Sequence, residues 1–217
     1  MSLRELIVNA DDLGYDPEID RGILEAHRRG IVTSATAMVD TAFAAPVLAE
    51  APASLAVGLH LVLDPAAPQG TVAAEIDRQL RRFEELRGRP PTHLDSHKHA
   101  HAAPAALAAV ARAARAAGLP VRALDAPMRA ALRAAGVLTC DHFAGDAALR
   151  PCWTLERLLA ALERLGEGTT ELMAHPGYRP AVARTSFGAE REIELQALAD
   201  PRTRAAIERL GIALTRY

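Results

Sequence analysis

The chain has 217 residues, half of them hydrophobic, and a formal net charge of −2 at neutral pH. This length favours a single domain, residues 1–217, with enough apolar side chains for a sizeable core. A balanced charge without a basic stripe gives no sign of nucleic-acid binding.

The N-terminus runs directly into a strand-like segment. Residues 1–5 lack the basic, apolar and cleavage regions of a signal peptide, and no apolar stretch is long enough to span a membrane. Cys140 and Cys152 match no zinc-binding spacing, which predicts ordinary thiols. These features favour a soluble cytoplasmic protein.

Predicted strands and helices alternate along the chain. Strands are predicted at 6–9, 31–39, 54–59, 92–95, 119–124, 169–174 and 212–216, with a weaker one at 137–139. Helices are predicted at 17–29, 42–51, 72–86, 104–117, 154–165 and 190–210, the last broken at Pro201, with a short helix before 137. This alternation predicts an α/β fold with a parallel sheet, and the number of units favours a (β/α) barrel. Because the chain is short for eight units, the barrel is expected to be distorted or incomplete.

Carboxylates and imidazoles recur at the ends of several predicted strands. Parallel barrels carry their catalytic residues at the carboxyl ends of the strands, so these side chains are expected to meet in one site. The residues at these ends are Asp11 and Asp12, His60, Asp95 and His97, and His175.

The segment 93–101 holds four histidines and one aspartate, all at odd positions. If the strand continued through it, all five side chains would point the same way and could converge on a divalent metal. We expect the strand to end near His97, so that His97 is the ligand from this segment. His93 and Asp95 would then orient neighbours, and His99 and His101 would line the pocket or support the ligands. A solvated histidine-rich loop is the alternative.

Each candidate also has an ordinary structural explanation. The two aspartates could cap the following helix, but one could bind a cation while the other faces a substrate. His60 alone would be a core histidine; beside Asp12 and His97 a metal ligand is the better interpretation. His175 could belong to a turn or act as a general acid near neutral pH.

Other polar and aromatic residues have weaker signals. Arg122 could bind a polar substrate or form an ion pair, and Arg191 lies on a charged helix that could simply be solvated. Trp153 could stack on a sugar ring, although packing is the more ordinary role. Residues 141–143 could reach the site or begin a loop.

The motifs at these strand ends resemble those of a known family. Asn9–Gly14, Gly58–Leu61, Thr92–His97 and His175–Gly177 are similar to the signatures of YdjC-like carbohydrate deacetylases, including diacetylchitobiose and hopanoid-associated deacetylases. The resemblance extends from Leu6 to about Leu198. It implies a (β/α) barrel related to the polysaccharide deacetylases.

The resemblance also implies roles for individual residues. Asp12, His60 and His97 would bind one divalent metal ion, Mg²⁺ or Zn²⁺, with Asp11 as general base and His175 as general acid. Arg191 lies on a helix that matches the family and would support the site. The implied reaction removes the N-acetyl group from an acetylated amino sugar, small oligosaccharide or glycolipid and releases acetate, and a homodimer is compatible with the resemblance.

One segment departs from the family pattern. Residues 64–70 are nearly all that remains of a longer insertion, so the chemistry is expected to persist while substrate specificity can differ. Two other functions stay open: a different metal-dependent barrel hydrolase acting on a phosphoester or cyclic amide, and a non-catalytic barrel that binds a sugar or metal. The presence of both Asp11 and His175 argues against the second.

Overall fold

The computed structural model describes residues 3–64, 66–145 and 153–217. Its strands are β1 (Arg4–Leu13), β2 (Ser34–Ala37), β3 (Ala56–Leu61), β4 (Leu94–Ser96), β5 (His142–Ala144), β6 (Gly168–Ala174) and β7 (Ala213–Thr215). Its helices are α1 (Pro17–Arg29), α2 (Ala44–Glu50), α3 (Gln69–Arg87), α4 (Pro104–Ala117), α5 (Ala126–Ala134), α6 (Leu155–Glu163), α7 (Glu190–Ala199) and α8 (Pro201–Leu210).

The strands form one parallel sheet in the order β4-β3-β2-β1-β6-β5, and β7 pairs with the first half of β1. Two extended segments lie between β4 and β5. Leu94 forms a parallel bridge with Val121, and the Val121 N–H donates to the Leu138 carbonyl at 2.9 Å. The sheet therefore curls into a distorted barrel, which confirms the predicted fold class.

The predicted strand 119–124 is wrong in extent, because only its Val121 bridge is formed. Pro120 has no N–H to donate to a strand ladder. The segment then ends at Asp125, whose carboxylate accepts the Met128 N–H at 2.8 Å and begins α5. The weaker strand predicted at 137–139 is not formed either, and the interrupted helix 190–210 is two helices, α7 and α8.

Alternation along β1 separates the core from the barrel interior. Leu6, Val8 and Ala10 are fully buried in the apolar core between sheet and helices. Asn9 and Asp11, on the other face, are also buried but make polar contacts inside the barrel. The central strand therefore supplies both the packing and the polar interior.

Two close approaches require glycine. A Cβ at Gly58 would lie 2.6 Å from the His93 ring, so glycine makes room for that ring inside the barrel. A Cβ at Gly22 in α1 would lie 2.4 Å from the Cα of Gly177. Helix α1 therefore packs directly on the turn that follows β6 and His175.

None of the helices that the structure describes combines the length and apolar character that crossing a membrane requires.

Asp20 in α1 gives a test of how the first loop is held. Its buried carboxylate accepts the Gly14 N–H at 2.6 Å, and burial raises the pKa of this carboxyl to about 7. The fold therefore favours the protonated acid, and this contribution to stability is present below about pH 4 and lost as the pH rises towards 7. Between pH 4 and 7, we expect the free energy of unfolding of Asp20→Asn to fall by on the order of 2–4 kcal/mol less than that of the parent.

Urea unfolding of both proteins between pH 4 and 7 measures the difference. Asp77→Asn, on an exposed face of α3, is the control and should retain the parent's slope. Equal slopes in the parent and Asp20→Asn would contradict the raised pKa.

Candidate active site

A pocket of about 510 Å³ opens at the carboxyl ends of the strands. Aspartates, histidines and arginines gather at its floor, and the segment after β6 forms one wall. It is lined by Asp11, Asp12, Tyr15, His60, Ser96, His97, Lys98, His99, Met173, His175, Arg184, Thr185, Ser186, Phe187 and Arg191.

Three donor atoms converge at the floor of this pocket. The Asp12 Oδ1 atom lies 3.4 Å from His60 Nε2 and 3.3 Å from His97 Nδ1. This oxygen is buried and has no hydrogen-bond partner among the described residues. A buried carboxylate oxygen without a partner is costly, so the group is suited to a cation shared by the three side chains.

The other ring nitrogen of His60 fixes the orientation of its imidazole. His60 Nδ1 lies 2.7 Å from Asp95 Oδ1, and Thr36 Oγ1 donates to Asp95 Oδ2 at 3.0 Å. Burial alone would lower the pKa of His60, but the Asp95 and Asp12 carboxylates raise it to about 10. A carboxylate behind a histidine is the usual way in which a protein orients an imidazole ligand.

Arg122 ties together three carboxylates inside the barrel. It donates to both oxygens of Asp11 at 2.7 Å and to Glu171 at 2.7 Å, and its Nη1 forms an ion pair with Asp95 Oδ2 at 2.8 Å. Asn9 Nδ2 also donates to Asp11 at 2.9 Å. Burial opposes ionisation of Asp11, but Arg122 holds the pKa of that carboxyl below its usual value. Asp11 is therefore a fixed carboxylate that still lines the pocket.

Arg191 occupies the other side of the floor. Its Nη2 donates to Asp12 Oδ2 at 2.6 Å, and its Nε donates to the Phe187 carbonyl at 2.9 Å. Burial would raise the pKa of Asp12, but the neighbouring His60 and His97 imidazoles together with Arg191 lower it well below its usual range. Helix α7 thus holds one oxygen of Asp12 while the other faces the two imidazoles.

His175 follows β6 and lines the same pocket. Its backbone N–H donates to Glu194 Oε2 at 2.6 Å, and its ring centre lies 5.2 Å from that of Phe187. His175 Nδ1 is buried without a hydrogen-bond partner among the described residues. Helix α7 therefore contacts both the aspartate and the histidine sides of the site.

The segment 93–101 does not form one continuous strand, in agreement with the expected strand end near His97. Strand β4 ends at Ser96, and His97–Ala102 form a 3₁₀ segment in which Lys98 and His99 have left-handed φ values of 54°. The alternation of a strand therefore stops before His97. Among the histidines of this segment, His97 and His99 line the pocket.

His93 and His101 do not line the pocket. His93 Nε2 donates to Asn9 Oδ1 at 3.0 Å, while His101 contacts Ser96 Oγ at 2.5 Å and the Arg122 carbonyl at 3.2 Å. Burial lowers the pKa of each of these two rings to about 3. Both are neutral interior groups that hold the strands in place, and of the two alternatives for His101, supporting the site fits its position better than lining the pocket.

Backbone strain is concentrated at this site. Asp12, Lys98 and His99 are the non-glycine residues with positive φ in the described part of the chain, and all three line the pocket. Such conformations are costly for side chains and cluster at functional sites. This clustering supports a functional rather than a purely structural role for the pocket.

Several weaker candidates lie elsewhere. Arg122 is fully buried and does not line the pocket, and Trp153 is a packing residue whose Nε1 donates to the Met173 carbonyl at 2.7 Å. His142 is exposed and contacts the Glu167 carbonyl. Cys140 is a buried thiol, and Cys152 lies outside the described residues.

Sequence reasoning missed the residues behind the ligands. Thr36 lies at the carboxyl end of β2, so applying the strand-end rule to that strand would have found it. Glu171 is a buried acid within β6, and a charge inside an apolar strand is a readable signal. Nothing in the sequence pattern indicates the role of Glu194.

Asp16 was also missed, and it positions the pocket wall. Besides capping α1, its carboxylate accepts the backbone N–H groups of Ala181, Val182 and Ala183 at 3.2, 2.7 and 2.9 Å. These residues directly precede the pocket-lining segment 184–187. One buried carboxylate therefore joins the start of α1 to the wall of the pocket.

The family model of YdjC-like proteins matches residues 5–70 and 64–209. The chain belongs to the YdjC-like family. A carbohydrate deacetylase from Geobacillus stearothermophilus is 34% identical over 244 residues, covering 99% of this chain and 97% of the relative. A chitooligosaccharide deacetylase from Serratia marcescens is also 34% identical, with 96% of each chain covered. The family predicted from the motifs is confirmed.

Solved structures agree with this fold. A protein from Enterococcus faecalis named for cellobiose-phosphate cleavage has a TM-score of 0.90 and 28% identity, covering 100% of this chain and 98% of that one. A polysaccharide deacetylase from Bacillus cereus has a TM-score of 0.61 and 10% identity, covering 99% and 92%. The second likeness shows the fold alone, and it agrees with the predicted barrel.

The family match and the Geobacillus alignment both bear on the length of this chain. The two parts of the family match meet at residues 64–70. The Geobacillus alignment spans 244 residues against a chain of 217, so the relative has residues without a counterpart here. A shorter loop after β3 stays a prediction.

The Arg122 cluster gives a test of stability. Arg122→Met would leave three buried carboxylates without their cation, and we expect a loss of about 3–5 kcal/mol in the free energy of unfolding. Arg78→Met is the matched control, because Arg78 also joins two carboxylates, Asp40 and Glu75, but at the surface. That variant should lose less than about 1 kcal/mol. Similar losses by urea unfolding in both variants would contradict the interpretation of the buried cluster.

Proposed function

We propose that this protein is a metal-dependent hydrolase that removes N-acetyl groups from an acetylated amino sugar, small oligosaccharide or glycolipid and releases acetate. The observation that carries the proposal is the unpartnered Asp12 Oδ1, faced by His60 and His97 in the pocket that also contains Asp11 and His175. The names of the Geobacillus and Serratia relatives support the reaction and the substrate class.

The donor set fits one divalent ion. Two ligands about 2.0–2.1 Å from a tetrahedral ion lie roughly 3.3–3.4 Å apart. That spacing matches the distances from Asp12 Oδ1 to the two imidazole nitrogens, 3.4 and 3.3 Å. Asp12, His60 and His97 would hold the ion and leave positions open towards the pocket.

A second group of donors is less suitable. Asp11, His60 and Asp95 also lie close enough to share an ion. Their carboxylates, however, already form ion pairs with Arg122, and Asp95 does not line the pocket. The Asp12 group is therefore the better metal site.

The types of ligand bear on which divalent ion is bound. Imidazole ligands suit Zn²⁺ and similar ions, whereas Mg²⁺ prefers oxygen ligands and retains water. Two histidines and one carboxylate therefore favour a zinc-type ion on chemical grounds, and Mg²⁺ is the alternative implied by the family resemblance.

The residues of the site have complementary roles in amide hydrolysis. A divalent ion, when bound, lowers the pKa of water and polarises the acetamide carbonyl. Asp11 takes the proton from the attacking water. Arg122 and Asn9 donate hydrogen bonds to this carboxylate and so keep it ionised and in one orientation. His175 gives a proton to the sugar nitrogen, because an amine leaves poorly unless it is protonated.

Arg191 and the pocket wall complete this arrangement. Arg191 keeps Asp12 oriented through its second oxygen, so that Oδ1 stays directed at the imidazoles. The wall at 184–187 and Tyr15 border the space where the sugar would lie. Location in the cytoplasm and assembly as a homodimer stay predictions.

The direct test is acetate release from acetylated amino sugars of increasing length. The protein is first treated with a chelator and then supplied separately with magnesium, zinc, manganese or cobalt. We expect acetate release only after a metal is restored. Phosphate release or ring opening of a cyclic amide, without acetate, would instead support the other metal-dependent hydrolases.

Metal binding and turnover can be separated by two variants. We expect His60→Ala/His97→Ala to lose bound metal and activity, because two of the three ligands are removed. Asp11→Asn should keep the metal while kcat falls about 100-fold or more, because the proton acceptor is removed and the ligands remain. Elemental analysis and acetate assays measure both quantities. Unchanged metal content in the double variant, or full turnover in Asp11→Asn, would contradict the assignments.

A further inference from the structure

Tyr217, which follows β7, lies beneath the polar floor of the pocket. Its ring stacks on His93 with ring centres 3.8 Å apart and planes inclined by 15°. Its N–H donates to Ser34 Oγ at 3.5 Å, and Ser34 is paired with Asn9 across β1 and β2. The side chain therefore enters the barrel one layer below Asp11, although it does not line the pocket.

A first chain of contacts leads from the Tyr217 hydroxyl to Asp11. The hydroxyl donates to Glu171 Oε2 at 2.6 Å, and Arg122 Nε donates to Glu171 Oε1 at 2.7 Å. The two terminal nitrogens of Arg122 then donate to Asp11 at 2.7 Å each. Burial raises the pKa of Glu171, while Arg122 and the Tyr217 hydroxyl oppose that rise and favour the carboxylate that Arg122 needs as a partner.

A second chain of contacts leads from the Tyr217 ring to the same aspartate. The ring covers His93, whose Nε2 lies 3.0 Å from Asn9 Oδ1. The Asn9 amide oxygen can only accept, so the neutral His93 ring carries its proton on Nε2, and its Nδ1 accepts from Thr92 Oγ1 at 2.8 Å. Asn9 Nδ2 then donates to Asp11 Oδ1 at 2.9 Å.

Both series of contacts end at the Asp11 carboxylate. Asp11 accepts three hydrogen bonds, one from Asn9 and two from Arg122, and each donor is held from behind by a group that contacts Tyr217. A side chain that only filled space under the barrel would need apolar contacts alone. The paired polar and stacking contacts instead restrict the position of Asp11 from two directions.

We propose that Tyr217 is a positioning residue for Asp11, holding the general base through Glu171 and Arg122 on one side and through His93 and Asn9 on the other. This inference rests on the proposed function of Asp11. Tyr217 itself touches neither substrate nor reacting atoms, and it acts by keeping a carboxylate in one orientation before the substrate arrives.

Tyr217→Phe tests the hydroxyl chain while it keeps the ring that stacks on His93. We expect kcat for acetate release to fall about tenfold, with KM changed less than about twofold, because orientation of the base affects the reacting state rather than binding. Tyr217→Leu removes the hydroxyl and the stacking ring, and it should lower kcat further than Tyr217→Phe does.

Tyr178→Phe is the matched control. Tyr178 also donates its hydroxyl to a glutamate, Glu25 Oε2 at 2.7 Å, but on α1 and away from the pocket. It should retain the parent's kcat and KM. If Tyr217→Phe also retains the parent's kcat, or if its loss of activity only parallels the fraction of unfolded protein, the positioning role is wrong.

A second measurement does not depend on activity. In the parent, the Arg122 Nε–Hε group is buried and bonded to Glu171, so its NMR signal should exchange slowly with solvent. We expect that signal to shift and exchange faster in Tyr217→Phe but not in Tyr178→Phe. An unchanged Arg122 signal in Tyr217→Phe would overturn the inference.

These readouts distinguish the two proposals. If the parent releases no acetate from any acetylated amino sugar, the proposed function fails, while the Arg122 signal still decides whether Tyr217 holds the cluster. If Tyr217→Phe does not fold, Glu171→Gln interrupts the same chain one step nearer Asp11 and should give the same selective loss of kcat. A Glu171→Gln protein with the parent's kcat would then overturn the inference.

Discussion

A guanidinium buried at the centre of the barrel is the interaction on which the rest of the site depends. Removing a charge from water costs several kcal/mol, so Arg122 is tolerated only because three carboxylates form ion pairs with it. The same contacts immobilise Asp11 and Asp95, and Asp95 in turn orients His60. The energetic need to neutralise one buried cation thus arranges the carboxylates before any substrate or metal is present.

The barrel strands and helix α7 both position the side chains of the site. The strands provide Asp11, Asp12, His60 and Asp95 on a rigid sheet, with their orientations set from inside the barrel. Helix α7 approaches from outside and contacts Asp12 through Arg191, while Glu194 holds the backbone of the turn at His175. A site supported from two sides loses less entropy when a ligand binds, which is a general advantage of preorganisation.

Much of the site could be predicted from the sequence, because parallel strands align their carboxyl ends. That rule brought residues as distant as Asp12 and His175 to one pocket. The end of the strand near His97 was expected, but the left-handed backbone at Lys98 and His99 could not be predicted, because no propensity indicates it. The strand at 119–124 failed at Pro120, and the pairing of Glu171 with Tyr217 depends on tertiary packing across 46 positions, which local patterns do not encode.

The composition of the pocket mouth has a practical consequence. Lys98 is the only lysine in the sequence, since every other basic side chain among its 25 lysines and arginines is an arginine. It is exposed, lines the pocket and directly follows His97 in the chain. Amine-directed chemistry therefore meets one side-chain target in this protein. A fluorophore, cross-linker or solid support attached through that amine would lie at the entrance to the site, and no substitution would be needed to direct it there.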